Sequence, residues 1–226
     1  SVQVAGRLRG GVEVTIGGRQ HAIDARGHLD LSEKNLGPAE VREVASFLAT
    51  SAGGAVASLC CANNPGMVGE LDRRGRLKTP DVHAEVFKQL TDSLKISKVT
   101  EADFSSCGIG PVALGHLSDW VRDATAALTS INCLANKFGE EDLATLLTAI
   151  EGTSVRSLCG LTEGQTTADF SGQNLGPIDM KIMAAEYGFQ GFIGALTSVV
   201  LDENELSGTK IKNKGQWDEQ IEELDA

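Results

Sequence analysis

The sequence LTSINCLANKF at residues 128–138 returns, with substitutions, as LTSVVLDENEL at residues 196–206. Both copies fit the pattern L-x-x-L-x-L-x-x-N/C-x-L at every apolar and asparagine position. Alternating apolar and polar residues in the first half of the pattern are typical of a β-strand with one buried face. The pattern therefore predicts a short strand and a following turn in each copy.

Weaker copies of this pattern extend over most of the chain. The second core residue of each predicted strand falls at Leu31, Cys61, Phe104, Cys133, Phe170 and Leu201. A recurring unit of this kind predicts a repeat array, in which each unit buries its apolar face against its neighbours. Two of the intervals are longer than the others, and they predict insertions near residues 65–80 and 155–166.

Between the predicted strands, the apolar residues change to the spacing of an amphipathic helix. A Gly-Pro pair precedes three of these segments, and proline is favoured in the first helical turn. The expected helix starts are Pro38, Pro111 and Pro177. The apolar stripes include Val41-Val44-Ala45-Leu48 in the first helix and Met180-Met183-Ala184-Tyr187 in the last.

The two ends of the chain differ from the repeats. Alternation through Val12, Val14 and Ile16 before Gly17-Gly18 predicts a β-hairpin. We therefore expect an N-terminal β-hairpin cap at residues 1–23, a repeat array at 24–210, and a C-terminal cap with an acidic tail at 211–226. Trp217 is the residue expected to seal the last repeat.

These repeats resemble those of ribonuclease-inhibitor-like leucine-rich-repeat proteins over residues 24–210. Residues 157–173 are more specifically similar to repeat proteins of protists and algae. The resemblance implies an α/β solenoid shaped as a horseshoe, with a parallel β-sheet on the concave face and helices on the convex face. Proteins of this family bind partners, and their functions include inhibition, immune sensing and activation of small GTPases, so the fold leaves function open.

Composition excludes several kinds of partner. The net charge of −11 over 226 residues disfavours nucleic acid, which is bound mainly through cationic side chains. No apolar run approaches the roughly 18 residues of a membrane span. Five cysteines form an odd set without a CxxC pair, which indicates a reducing, cytoplasmic compartment. No zinc spacing among the histidines and no catalytic motif is present, so we expect no metal, no cofactor and no enzymatic activity.

The expected binding site is the outward face of the sheet. Residues that alternate with the core positions of a strand point away from the core. We expect them to form an acidic lattice across neighbouring strands, which favours a protein partner with a basic patch. The candidate contact residues are Asp30, Glu33, Cys60, Glu101, Asp103, Asn132, Asp169, Asp202 and Glu203.

Two alternatives remain open from the sequence. Arg73, Arg74 and Arg76 lie in the first insertion, and a projecting arginine can stabilise charge during GTP hydrolysis by a small GTPase. The chain is alternatively a structural subunit of a larger complex. In that case the outer helical surface, including Trp120 and Tyr187, is an interface.

Overall fold

The computed structural model describes residues 4–8, 11–188 and 191–207, and this part of the chain is an α/β structure. The expected C-terminal cap, with Trp217, lies outside the described residues. The described strands are β1 (Val4–Leu8), β2 (Gly11–Ile16), β3 (Arg19–Ile23), β4 (His28–Asp30), β5 (Ser58–Cys60), β6 (Glu70–Leu71), β7 (Leu77–Thr79), β8 (Glu101–Asp103), β9 (Ser130–Asn132), β10 (Thr167–Asp169) and β11 (Ser198–Val200). The described helices are α1 (Pro38–Leu48), α2 (Ala84–Lys95), α3 (Pro111–Asp123), α4 (Glu140–Ile150) and α5 (Pro177–Gly188).

The main sheet is mixed and follows the order β1-β2-β3-β4-β5-β8-β9. Its first three strands form an antiparallel meander, which joins β4 where Ile23 faces Leu29. The strands β4, β5, β8 and β9 are parallel and in register. Their central residues lie directly opposite one another and are buried: Leu29, Leu59, Ala102 and Ile131.

The helices α1 to α4 lie in chain order beside one another, and each packs its apolar side into the common core. Helix starts at Pro38, Pro111 and Pro177 agree with the Gly-Pro prediction. Trp120 of α3 is fully buried, and its ring meets that of Phe104 edge-on at 6.1 Å. The hypothesis that Trp120 is an outer interface residue is therefore wrong, because this side chain fills the space between α3 and the sheet.

The asparagines of the repeat pattern tie each turn to the preceding one. Asn64 is fully buried, and its amide nitrogen donates to the carbonyl oxygens of Leu31, Cys61 and Ala62 at 2.8–3.2 Å. Its oxygen accepts from the Leu36 amide at 2.9 Å. Asn136, after β9, and Asn204, after β11, have the same arrangement. These side chains satisfy main-chain groups that a buried turn leaves unpaired.

The first insertion has a structural role as well as an exposed tip. It forms the β6–β7 hairpin and then reaches Asp81, whose carboxylate accepts hydrogen bonds from three amides at the start of α3. An acid at this end of a helix is favourable, because it satisfies unpaired amides and complements the helix dipole.

The C-terminal part forms a second sheet. β10 and β11 pair in parallel with each other, and among the described residues neither joins the main sheet. The parallel sheet expected to run through every repeat is thus divided. The second insertion lies at the division: Ser157 and Cys159 make isolated bridges to β9, and no helix follows them before β10.

The predicted apolar stripe of α5 is only partly correct, because Met183 is buried and Met180 half-buried but Ala184 and Tyr187 are not. Its deeply buried side chains are Asp179, Ile182, Met183 and Glu186, whereas Ala184 is exposed and Tyr187 is 69% exposed. The helix is rotated from the expected orientation because two of its acidic side chains face inward, where they meet unpaired backbone amides.

Candidate binding face of the parallel sheet

Two rows of side chains cover the outward face of the main sheet. Successive residues of a strand point to opposite sides, so the residues flanking each buried central residue share one face. The first row is His28, Ser58, Glu101 and Ser130, and the second row is Asp30, Cys60, Asp103 and Asn132. These eight positions hold three carboxylates and neither lysine nor arginine.

The aspartates of the second row also have a structural role that the sequence analysis missed. In Asp30 and Asp103, Oδ1 accepts hydrogen bonds from both the amide and the hydroxyl of the serine two residues later, at 2.6–2.9 Å. Asp169 likewise accepts the Ser171 amide at 2.9 Å. Each aspartate thereby turns the chain at the end of its strand. The recurring Asp-x-Ser triplet was the sequence signal for this turn.

These hydrogen bonds favour the ionised aspartates. Partial burial acts to raise the pKa of Asp30, but hydrogen bonds from Ser32 outweigh it and hold the pKa below its ordinary value. Hydrogen bonds from Ser171 lower the pKa of Asp169, which is exposed. Both carboxylates are therefore charged at neutral pH, with one oxygen fixed by the turn.

Cys60 separates the two acidic positions of this row, so Asp30 and Asp103 do not lie on adjacent strands. Asp30 and Asp103 are two strand spacings apart, about 10 Å. Burial raises the pKa of the Cys60 thiol to about 11, and the neighbouring carboxylates act in the same direction. The thiol is neutral at physiological pH, and its side chain is a half-buried, uncharged spacer between the carboxylates.

Asn132 is buried instead of exposed, contrary to its expected place on the binding face. Its amide donates to Asp103 Oδ2 at 3.1 Å, and its oxygen accepts the Leu134 amide at 3.1 Å. Gly160, in a left-handed conformation, passes so close that an added Cβ would lie 3.0 Å from Asn132 Cβ. The accessible part of the face therefore ends at β8, and Asn132 acts by orienting Asp103.

The remaining acidic residues predicted to contact a partner lie in the turn after β4 and on the second sheet. Glu33 is exposed, in the turn after β4, with a left-handed backbone at φ 57°. Asp169, Asp202 and Glu203 are exposed on the second sheet or its turn. Thus Asp30, Glu101 and Asp103 share the outward face, Glu33 lies in the turn beyond it, and the other three acids belong to the separate β10–β11 sheet or its turn.

The Arg-rich insertion forms a hairpin in which one arginine is held by an ion pair and two are exposed without a partner in the described chain. Asp72 accepts two backbone amides, and its Oδ2 accepts both Nε and Nη2 of Arg76 at 3.1 and 2.9 Å. Arg73 and Arg74 are exposed at the tip, and no partner within the described chain holds either guanidinium. Arg76 is therefore a structural residue of the hairpin, and Arg73 and Arg74 are its available cations.

No family model matches this chain, and no curated protein matches it significantly. Among the described residues, no helix has the length and apolar character needed to cross a membrane. The same part of the chain contains no group of three or more His, Cys, Asp or Glu side chains arranged to hold a metal ion.

Proposed function

We propose that this chain is a leucine-rich-repeat scaffold that binds a basic protein segment through the outward face of β4, β5 and β8. The observation that carries the proposal is the charge of this face. Asp30, Glu101 and Asp103 share it, and its eight outward positions include no lysine or arginine. Side chains of lysine or arginine on a partner complement such a surface and accelerate its encounter.

The in-register parallel strands, the helix layer and the buried asparagines support the repeat-solenoid part of the proposal. Each of these features follows from the same recurring pattern. A stack of this kind presents side chains from successive units at a fixed spacing. It is a binding scaffold and not an enzyme in this proposal.

Binding is favoured by carboxylates that are already oriented. The serine hydrogen bonds fix Oδ1 of Asp30 and Asp103, and Asn132 additionally holds Asp103 Oδ2. Side chains held before association lose less conformational entropy when the partner binds. The half-buried Cys60 between them allows an aliphatic part of a lysine or arginine to pack on the strand.

The test compares two variants that each lose three negative charges. The site variant combines Asp30→Asn, Glu101→Gln and Asp103→Asn. The control combines Glu85→Gln, Glu141→Gln and Glu151→Gln, all exposed on or beside the helices. Asparagine preserves the turn, because Asn132 already accepts the equivalent amide through its side-chain oxygen.

We expect basic proteins in a native lysate to be retained by the wild-type chain and the control but not by the site variant. Titration of a retained partner should then show about tenfold or greater loss of affinity in the site variant, and weaker wild-type binding as salt rises. Equal binding by the two variants would remove this face as the site.

A second candidate is regulation of a small GTPase, which the unpaired Arg73 and Arg74 at the hairpin tip favour. Arginines that reach a nucleotide site stabilise charge in phosphoryl transfer. Under this alternative, Arg73→Ala with Arg74→Ala abolishes any stimulation of GTP hydrolysis, whereas the site variant leaves it unchanged. Arg76 is unsuited to that role because Asp72 holds it.

A structural subunit of a larger complex is the third hypothesis, and Tyr187 is its remaining aromatic candidate. The cytoplasmic compartment also remains a proposal. Its support is that all five cysteines are free thiols, as a reducing environment maintains them.

A further inference from the structure

The division between the two sheets leaves backbone groups that require other partners. Residues 155–161 lie beside β9, where the carbonyls of Ser157 and Leu158 accept the amides of Ile131 and Cys133 at 2.9 and 3.1 Å. On the other side of this segment, no backbone hydrogen bond within the described chain reaches β10. A buried amide without a partner is costly, so this edge needs an acceptor.

Glu186 of α5 supplies that acceptor. Its side chain is fully buried, and Oε1 accepts the Ser157 hydroxyl at 2.9 Å and the Leu158 and Cys159 amides at 2.5 and 2.9 Å. The other oxygen, Oε2, is buried and has no hydrogen-bond partner among the described residues. One carboxylate thus takes the place of a neighbouring strand. All three hydrogen-bond donors bind the same oxygen of this carboxylate.

Asp179 has a similar role two turns earlier on α5. In the main sheet, the left-handed residue after a strand donates its amide to a carbonyl of the next repeat, as Asn63 donates to Ser105 at 2.9 Å. The equivalent residue after β9 is Ala135, and its amide donates instead to Asp179 Oδ1 at 2.7 Å. Asp179 Oδ2 accepts the Gly176 amide at the start of α5.

We infer that Glu186 and Asp179 form a pH-sensitive clasp, which holds α5 and the β10–β11 sheet against the main sheet and loosens when Glu186 ionises. The inference does not depend on what the outward face binds. Ionisation places a charge in a buried site where one oxygen has no donor, and this costs free energy only in the docked arrangement.

The groups around the clasp offer little compensation for a negative charge. The Cys159 thiol in the second insertion and the Cys133 thiol just after β9 lie near Glu186, and Asp179 adds a second carboxyl on α5 itself. Lys137 is the cation that acts on Asp179. No ion pair within the described residues includes Glu186.

The direction of the pH effect follows from the pKa shift. Burial raises the pKa of Glu186 above its ordinary value of 4.5, despite the hydrogen bonds that oppose the shift. The stabilisation that neutral Glu186 gives to the docked arrangement is therefore fully present below pH 4.5. It is lost as the pH rises through the raised pKa. Asp179 shifts in the same direction for the same reason. Acidification tightens the clasp.

Amide hydrogen exchange between pH 5 and pH 8 tests the clasp in the intact chain, with exchange corrected for its intrinsic pH dependence. The probes are the Leu158, Cys159 and Ala135 amides, and the internal reference is the buried amides of β5. We expect protection of the probes to fall several-fold relative to the reference as pH rises, because the charged carboxylate is disfavoured only in the docked arrangement. Constant relative protection in the wild-type chain would overturn the inference without any variant.

Two substitutions then assign the effect. Glu186→Gln keeps an acceptor oxygen and cannot ionise, so it should abolish the pH dependence at the Leu158 and Cys159 amides, which it holds, while the Ala135 amide still reports on Asp179. Glu151→Gln, which removes an exposed acid at the end of α4, should preserve it. A pH dependence of the Leu158 and Cys159 amides that persists in folded Glu186→Gln would assign their titration to another group and contradict the proposed clasp.

Discussion

β5 and β11 come from the same sequence pattern but reach different degrees of burial. In β5, Leu59 is fully buried between β4 and β8, whereas the equivalent Val199 of β11 is 42% exposed, with only β10 beside it in the described chain. Likewise, Asn64 is fully buried and Asn204 only partly so. The difference indicates that the pattern specifies a strand and its turn, while neighbours on both sides make that unit part of a core.

The largest expected effect comes from Trp120. Replacement by alanine removes a fully buried ring that contacts Phe104, so we expect the free energy of unfolding to fall by about 4 kcal/mol. Tyr187→Ala, on the exposed side of α5, should change it by less than about 0.5 kcal/mol. Urea unfolding of the two variants measures both values. Similar losses would show that the Tyr187 side of α5 is buried, contrary to its 69% exposure.

The asparagines provide the next comparison. Asn64→Ala removes four side-chain hydrogen bonds from a fully buried turn, and we expect a loss of about 3 kcal/mol. Asn204→Ala breaks matching hydrogen bonds in a partly exposed turn, where water replaces them, and should cost about 1 kcal/mol. Unfolding by urea, followed by circular dichroism, distinguishes the two. Equal losses would contradict the role of neighbouring repeats.

The outward positions of β5 and β11 can be compared by the reactivity of a thiol at each, Cys60 in β5 and a cysteine introduced at Val200 in β11. With a pKa of about 11 instead of 9.0, Cys60 has about 100-fold less thiolate at pH 8. Its alkylation should therefore be about 100-fold slower than that of a model thiol, and should accelerate about tenfold per pH unit. A Val200→Cys variant, exposed on β11, should react at nearly the model rate. Mass spectrometry of both sites measures the rates, and rapid labelling of Cys60 would refute its burial.

The smallest effects concern the strand-ending turns, which are local in both sheets. Asp30→Asn and Asp169→Asn should each change the free energy of unfolding by less than about 0.5 kcal/mol, since the amide oxygen still accepts the serine amide. The alanine variants should lose about 1 kcal/mol. Thermal unfolding of the four proteins measures this. Asparagine variants as unstable as the alanine ones would mean that the charge, and not the acceptor geometry, forms the turn.

The sequence predicted the local elements of this fold well where one strong pattern determined them. The strands at Leu29 and Leu59 follow from apolar alternation, and the helix starts at Pro38 and Pro111 follow from the Gly-Pro pairs. The orientation of α5 was predicted only in part, since Met183 faces the core as expected but Asp179 and Glu186 are also buried. Its acids resemble a solvated helix surface in sequence, and only the unpaired amides of the divided sheet make their burial favourable.

The site was predicted in outline from strand alternation. That reasoning correctly placed Asp30, Cys60 and Asp103 in one row. It missed the turn formed by each aspartate, although the Asp-x-Ser triplets were visible. It also missed the burial of Asn132, because the close approach of Gly160 depends on how a distant insertion folds back.

The most direct test of the proposed function is a map of the bound partner on the chain by nuclear magnetic resonance. A partner retained by the wild-type chain is titrated into isotope-labelled protein at low and high salt. We predict salt-sensitive amide shifts at the ends of β4, β5 and β8, around Asp30, Cys60 and Asp103, with β11 and the outer helices unchanged. Shifts confined to the helices, the β6–β7 hairpin or the β10–β11 sheet would contradict the proposal.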